Sequence, residues 1–135
     1  MITVKALDHF VLRVRELERS LGFYQDVLGL PIEFLDEYRA GARPFVSVRI
    51  GEQILDLVPD STYDADASRN AGGFLHFCVS IEAGRLPGII AWLKERGVNV
   101  LEEQPVPRMG ATGMGLSIYI TDPDGYVVEL KEHGA

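Results

Sequence analysis

The chain has 135 residues, enough for one domain with an ordinary core and too few for two independently folded enzyme domains. Hydrophobic residues make up 47% and charged residues 24%, globular values that exclude a disordered, collagen-like or disulfide-stapled chain. A net charge of -7, with 7 basic against 12 acidic residues over 1–67 and 6 against 8 over 68–135, offers no cluster of Lys and Arg, which argues against nucleic acid and against an anionic membrane surface as partners.

The lone Cys78 rules out an intramolecular disulfide and suits a reducing compartment. The opening Met1-Ile2-Thr3-Val4-Lys5 lacks the basic-then-apolar plan of a signal peptide, and no apolar run approaches the ~20 residues of a membrane span. A cytoplasmic protein is expected.

Taken in chain order, Leu7–Val14 alternates as a strand, with Phe10, Leu12 and Val14 on one face and His9, Val11 and Arg13 on the other. Leu17, Leu21, Tyr24 and Leu28, widened by Phe23 and Val27, then recur at helical spacing, and Gly29 stands where a left-handed cap is wanted. Ile32–Tyr38, Phe45–Ile50 and Gln53–Val58 predict three short antiparallel strands. Pro59–Gly73, rich in Asp, Ser, Gly and Asn, has the composition of a linker between a first module, 4–58, and a second, 74–133.

The order then repeats. Phe74–Ile81 predicts a strand; Leu86, Ile89, Ile90 and Leu93 predict a helix ending near Gly97; Asn99–Glu102, Leu116–Thr121 and Tyr126–Lys131 predict three strands. Asp122-Pro123-Asp124-Gly125 supplies the turn chemistry between the last two. His9 and His76 are 67 residues apart, and Gly29-Leu30-Pro31-Ile32 aligns with Gly97-Val98-Asn99-Val100 at 68. A repeat this long, present twice, fits a duplicated βαβββ half-domain, an α+β fold whose function is expected between the halves.

Two imidazoles occupy equivalent places in the first strands of the modules, and two carboxylates, Asp56 and Glu129, sit inside apolar last strands. A carboxylate flanked by Leu or Val is costly to bury unless paired or metal-bound. Together His9, Asp56, His76 and Glu129 form a nitrogen and oxygen donor set suited to Zn, Ni, Fe, Mn or Co. Cys78, two residues after His76, shares that residue's face and points into the same cleft, where a lone cysteine reads as a small hydrophobe.

Leu7-Asp8-His9-Phe10-Val11-Leu12-Arg13-Val14, Ser20-Leu21-Gly22-Phe23-Tyr24, Val27-Leu28-Gly29-Leu30 and Ser117-Ile118-Tyr119-Ile120-Thr121-Asp122-Pro123-Asp124-Gly125 with Glu129 four residues on resemble the vicinal oxygen chelate superfamily of glyoxalases, fosfomycin- and bleomycin-resistance proteins and extradiol dioxygenases. The resemblance covers nearly the whole chain. It implies two tandem βαβββ modules forming a U-shaped half-barrel (the glyoxalase/bleomycin resistance/dihydroxybiphenyl dioxygenase fold) around one divalent metal ion, usually in a homodimer. His9, His76 and Glu129 fall on its three most used ligand positions, and Asp56 on the fourth, where glyoxalase I carries the longer Glu. Tyr119 falls where fosfomycin enzymes keep a substrate-binding tyrosine, on the strand that also carries Ser117. Met109 takes the region of their phosphonate-binding lysine, with Arg108 adjacent. Tyr119, Arg108 and Ser117 are thus the expected substrate-binding residues. Pro105–Gly115, with three Gly and two Met, suits a flexible lid.

The resulting expectation is a metal-dependent lyase or isomerase of glyoxalase type. Its small-molecule substrate is chelated through vicinal oxygens, and Glu129 or Asp56 exchanges a proton with carbon. An Fe(II) dioxygenase or thiol-transferase-like member of the superfamily is the first alternative, and a metal-free, bleomycin-resistance-like binding protein the second. His133, in the terminal Glu132-His133-Gly134-Ala135, is expected to play no part in metal binding.

Overall fold

The structure, a computed structural model, describes residues 1–66 and 73–133, and the chain divides into two compact units, Met1–Asp64 and Ala65–Ala135. Part of the expected linker and the last two residues of the tail lie outside the described residues.

The first unit runs β1 (His9–Val14), α1 (Leu17–Leu21) continuing into a π-helical stretch (Gly22–Val27), β2 (Ile32–Glu33), α2 (Leu35–Arg39), β3 (Val46–Ile50) and β4 (Gln53–Pro59). Its sheet has the order β1-β4-β3-β2. The helical crossover carries the chain to the far edge, and the meander returns, so that β4 lies parallel to β1 while β2–β3 and β3–β4 are antiparallel. The register puts Leu12, Val14, Val46, Val48, Leu55 and Leu57 on one face. All are buried, as are Leu17, Leu21, Phe23 and Tyr24 from the helix that covers them. Each such side chain contributes roughly 1.5–3 kcal/mol through burial.

Two expectations are corrected here. The helical stripe from Leu17 does not continue as one α-helix: Leu28 N–H bonds to the Phe23 carbonyl five residues back at 3.0 Å, the widened pitch of a π-helix. Ile32–Tyr38 is a strand only over its first two residues. Phe34 takes a left-handed conformation (φ 66°) and opens α2, where Asp36 and Glu37 in the first turn and Arg39 in the last complement the helix dipole.

The second unit runs β5 (Phe77–Ile81), α3 (Leu86–Glu95), β6 (Val106–Gly110), β7 (Gly113–Thr121) and β8 (Val127–Glu132), with sheet order β5-β8-β7-β6 and β5 again parallel to β8. Leu86, Ile90 and Leu93 of α3 are buried, as are Ile118 and Ile120 of β7 and Val128 and Leu130 of β8, which share one sheet face. Gly29 (φ 68°) and Gly97 (φ 73°) end the two helical regions in the left-handed conformation, as expected. In the turn before β8, Asp122 Oδ1 accepts the N–H groups of Asp124 and Tyr126, both at 2.9 Å.

The second unit also departs from expectation. Asn99–Glu102 is not a full strand but a short flank on β7, held by Thr121 N–H to Asn99 O at 3.1 Å and Leu101 N–H to Tyr119 O at 2.8 Å. Pro105–Gly115 is no lid loop. It forms β6 and the start of β7, an antiparallel hairpin turning on Ala111-Thr112 between the paired Gly110 and Gly113. His133 donates its N–H to Ile81 O at 3.1 Å, so this part of the tail is tied to β5. Among the described residues no helix is long and apolar enough to cross a membrane.

Candidate functional site

Side chains of paired residues point to the same side of a sheet, so register alone places the candidate donors. In the first unit Val11 pairs with Asp56 and His9 stands two residues before Val11; in the second Cys78 pairs with Glu129 and His76 stands two residues before Cys78. Each unit thus sets one imidazole and one carboxylate diagonally across two adjacent strands, His76 standing one residue before β5 begins, on the side opposite the apolar core.

In the second unit these residues close into one hydrogen-bonded group. Glu129 is buried, with its Oε1 3.2 Å from His76 Nε2 and its Oε2 accepting the Ser117 hydroxyl at 2.6 Å. Tyr119, directly across from Glu129 on β7, meets the His76 ring edge-on with centroids 5.4 Å apart. Its hydroxyl receives Arg108 Nε–H at 3.2 Å from β6. The expected ligands His76 and Glu129 and the expected substrate residues Ser117, Tyr119 and Arg108 therefore stand together.

The first unit is built differently around the same register. Asp56 is buried and accepts the hydroxyl of Ser47, its direct partner on β3, at 2.6 Å. Ser47 in turn receives Arg43 Nη2–H at 3.3 Å, and that guanidinium lies over the rings of Phe34 and Phe45, 3.9 and 4.3 Å from their centroids. His9 is half-exposed and its Nδ1 lies 2.6 Å from Asp8 Oδ1. That hydrogen bond, reinforced by the charges of Asp8 and Asp56, raises His9 above its ordinary 6.5. It also fixes the tautomer that leaves Nε2 with a lone pair, the arrangement seen when a carboxylate backs a metal-ligating histidine.

The remaining charged groups of the two faces separate the units further. In the first, Arg49 forks onto Glu33 at 2.7 and 2.9 Å, which holds the Glu33 carboxyl below its usual range. In the second, Lys131 is buried opposite Ser117 with its ammonium on the Glu132 carbonyl at 3.3 Å. Cys78 is exposed, and desolvation together with the charge of Glu129 pushes its thiol up to about 11, against the opposing pull of Lys131.

Among the described residues no group of three or more His, Cys, Asp or Glu is drawn together around one point; the donors come in the two diagonal pairs. Their chemistry nonetheless fits a divalent ion. Both carboxylates are buried, each is steadied on one oxygen by a serine, and both belong with an imidazole on their own face. Sequence reasoning missed Ser47, Arg43, Asp8 and Lys131. A signal was present for the first, since Ser47 and Ser117 each stand between two apolar residues, Val46 and Val48 or Leu116 and Ile118, in strands of corresponding order. An open cavity of about 440 Å³ beside α3, bounded by Pro87, Ile90, Lys94 and Gln104, lies apart from these donors.

Comparison with known proteins places this arrangement. The sequence model of the Glyoxalase/Bleomycin resistance protein/Dioxygenase superfamily matches residues 6–130. A lactoylglutathione lyase of Neisseria meningitidis is 31% identical over 124 residues, covering 92% of this chain and 88% of that protein. Virulence protein STM3117 of Salmonella typhimurium is 29% identical over 131 residues, covering 96% and 85%. Its crystal structure superposes with a TM-score of 0.74 at 27% identity, covering 98% and 99%. The fosfomycin resistance protein FosX of Listeria monocytogenes, at 18% identity and a TM-score of 0.69 over 96% and 94%, shares the fold.

Proposed function

Because the chain belongs to the Glyoxalase/Bleomycin resistance protein/Dioxygenase superfamily, we propose that it is a divalent-metal-dependent lyase or isomerase of glyoxalase type, acting on a small molecule through two neighbouring oxygens. The observation that carries this reading is the junction of His76, Glu129 and Ser117, a buried carboxylate held between an imidazole nitrogen at 3.2 Å and a hydroxyl at 2.6 Å. The register of His9 and Asp56, which reproduces that of His76 and Glu129, supports a donor set of all four. The 31% identity to a lactoylglutathione lyase supports the reaction class.

When bound, such an ion supplies Lewis-acid polarisation of the substrate's two oxygens. The chain's own residues do the rest. Glu129 or Asp56, both buried, exchanges a proton with the carbon beside those oxygens. Ser117 holds the unreactive oxygen of Glu129 in place, while Tyr119 and the Arg108 guanidinium orient the substrate.

Among the described residues each sheet ends on an unpaired side of β1 or β5 and of β2 or β6, and such edges support pairing of two chains as a homodimer. Sedimentation that finds only monomer at tens of micromolar rejects the dimer. The function is tested by elemental analysis of the purified protein beside the His9→Ala/Glu129→Ala variant. Near-stoichiometric Zn, Ni, Fe, Mn or Co that vanishes in the variant is expected; no metal in either, even after reconstitution, overturns the reading and leaves a metal-free binding protein.

A further inference from the structure

Arg43, between α2 and β3, is a half-buried cation without a counter-charge. Its Nη2 donates to Ser47 Oγ at 3.3 Å, while Nη1 is buried and has no hydrogen-bond partner among the described residues. Among those residues no carboxylate pairs with it either, for Glu33, directly across from Ser47 on β2, is taken by the fork of Arg49. A guanidinium placed in this way is costly, since desolvation of a charge is offset only by a counter-charge or full hydrogen bonding, and the rings of Phe34 and Phe45 recover only part of that cost.

The clamp on this guanidinium is itself strained. Phe34 sits at φ 66°, in the left-handed region that a bulky side chain rarely enters, and its ring is about half exposed, so core burial is not what holds it against Arg43. What the clamp secures is the direction of one proton. A guanidinium only donates, so Ser47 Oγ is its acceptor and sends its single hydrogen elsewhere, to Asp56 Oδ1 at 2.6 Å. That bond occupies Oδ1, and Asp56 makes no other among the described residues. Ser117 makes the same 2.6 Å bond to Glu129, yet among the described residues no donor reaches its oxygen, since Lys131, its direct partner on β8, is bonded to the Glu132 carbonyl.

We propose that Arg43 is a positioning residue for Asp56, acting through Ser47: it holds the serine hydroxyl as a one-way donor to Oδ1 and so leaves Oδ2 as the oxygen that takes a metal ion or the exchanged proton. A proton accepted by Asp56 then goes to Oδ2, because on Oδ1 it would face the hydroxyl hydrogen of Ser47. The chain from Arg43 through Ser47 to Asp56 runs in one sense, and a charged donor at its head strengthens the bond at its end. This relay deepens the proposed function and rests on that reading for what Asp56 binds, whereas the direction of the hydroxyl does not depend on it.

The test is made on the full chain after dialysis against a chelator, by NMR of the Ser47 hydroxyl proton, identified by its loss in Ser47→Ala. It is expected to exchange with water slowly enough to observe, about tenfold or more faster in Arg43→Met, and more slowly again in Arg43→Lys, which restores a charged donor. The backbone amides of Val46 and Leu57, paired across β3 and β4, should keep their exchange rates, which a general loosening of the fold would raise. If Arg43→Met does not fold, Phe34→Gly, which suits φ 66° and removes one ring of the clamp, should speed hydroxyl exchange several-fold. In zinc titrations Arg43→Met should weaken binding several-fold in the unaltered chain and add nothing in Ser47→Ala, because the two act through one bond. A Ser47 hydroxyl too labile to observe in the unaltered chain, or indifferent to both Arg43→Met and Phe34→Gly, overturns the relay, as does a zinc loss that adds in full to that of Ser47→Ala. The two readings fail separately: a hydroxyl response without zinc binding removes the metal-dependent function and upholds the relay, and zinc binding without the response does the reverse.

Discussion

The two modules place an imidazole and a carboxylate in the same register and then use them differently. In the second, the longer Glu129 reaches both His76 and the diagonal Ser117. In the first, Asp56 is one methylene shorter and bonds to Ser47, its direct strand partner, while His9 leans on Asp8 beside it. The cations divide the same way, Arg49 being matched by Glu33 where Lys131 has only a carbonyl. Register is a property of the backbone and survives duplication; reach is a property of the side chain, and it decides which donors the module has already brought together.

The sharpest way to break that comparison is to remove one donor at a time and measure zinc affinity by calorimetric titration. Glu129→Ala and His76→Ala should each lower affinity by about a hundredfold or more, beyond what loss of a supporting contact costs. His133→Ala should change it less than about twofold, because its described link to the fold is a backbone bond to Ile81. Equal losses in His76→Ala and His133→Ala would remove the proposed ligand set. Next in size come the serines. Ser117→Ala and Ser47→Ala each strip a 2.6 Å hydrogen bond from a buried carboxylate and should cost about tenfold. The Ser47 loss should be reproduced in part by Arg43→Gln, since that guanidinium holds the serine from the other side.

A smaller effect sharpens the electrostatic side of the contrast. Cys78, across from Glu129, has a thiol pushed from 9.0 up to about 11, so about one molecule in a thousand carries thiolate at pH 8. Alkylation by iodoacetamide should be slow there and climb steadily towards pH 11. Glu129→Gln removes the negative charge that helps hold the thiol up and should speed alkylation several-fold at pH 8, whereas Lys131→Met should slow it. The raised folded value also means that the neutral thiol's contribution to stability is present below pH 9 and is lost as pH rises towards 11. An alkylation rate indifferent to both substitutions would show that these charges do not share a face in solution.

Much of this was legible in the sequence, for identifiable reasons. Alternation and helical spacing gave β1, β4, β8 and α3, and the glycines at 29 and 97 marked where the helical regions end. His76, Glu129, Tyr119, Arg108 and Ser117 could be named as candidates, and the structure brings those five together. The misreadings have local causes. Ile32–Tyr38 alternates like a strand, but Phe34 turns into the left-handed region and the acidic residues after it favour a helix start. The glycines of 105–115 suggest mobility, yet they fall on one face of a hairpin and leave space for Lys131, a relation between strands that no local window contains. Reach was equally out of view, since Asp and Glu read alike as ligands until the serine opposite each is known.

The smallest expected effect concerns the imidazole of the first module. The hydrogen bond from His9 Nδ1 to Asp8, with the charges of Asp8 and then Asp56 behind it, raises His9 above 6.5. In the second module Leu75 precedes His76, so that support has no counterpart there. A raised folded value means that protonated His9 favours the folded state below pH 6.5 and that this contribution disappears as pH rises through the raised value. Asp8→Asn should bring the His9 titration, followed by the ring proton resonances in the metal-free protein, back towards 6.5, and Asp56→Asn should move it in the same direction by less. With Asp8 gone, Nδ1 is also released, so zinc affinity should fall by a few-fold through lost orientation of the ring rather than lost charge. An unchanged His9 titration in Asp8→Asn would mean that Asp8 lends the first module's imidazole no support, and the asymmetry between the modules would then reside in their carboxylates alone.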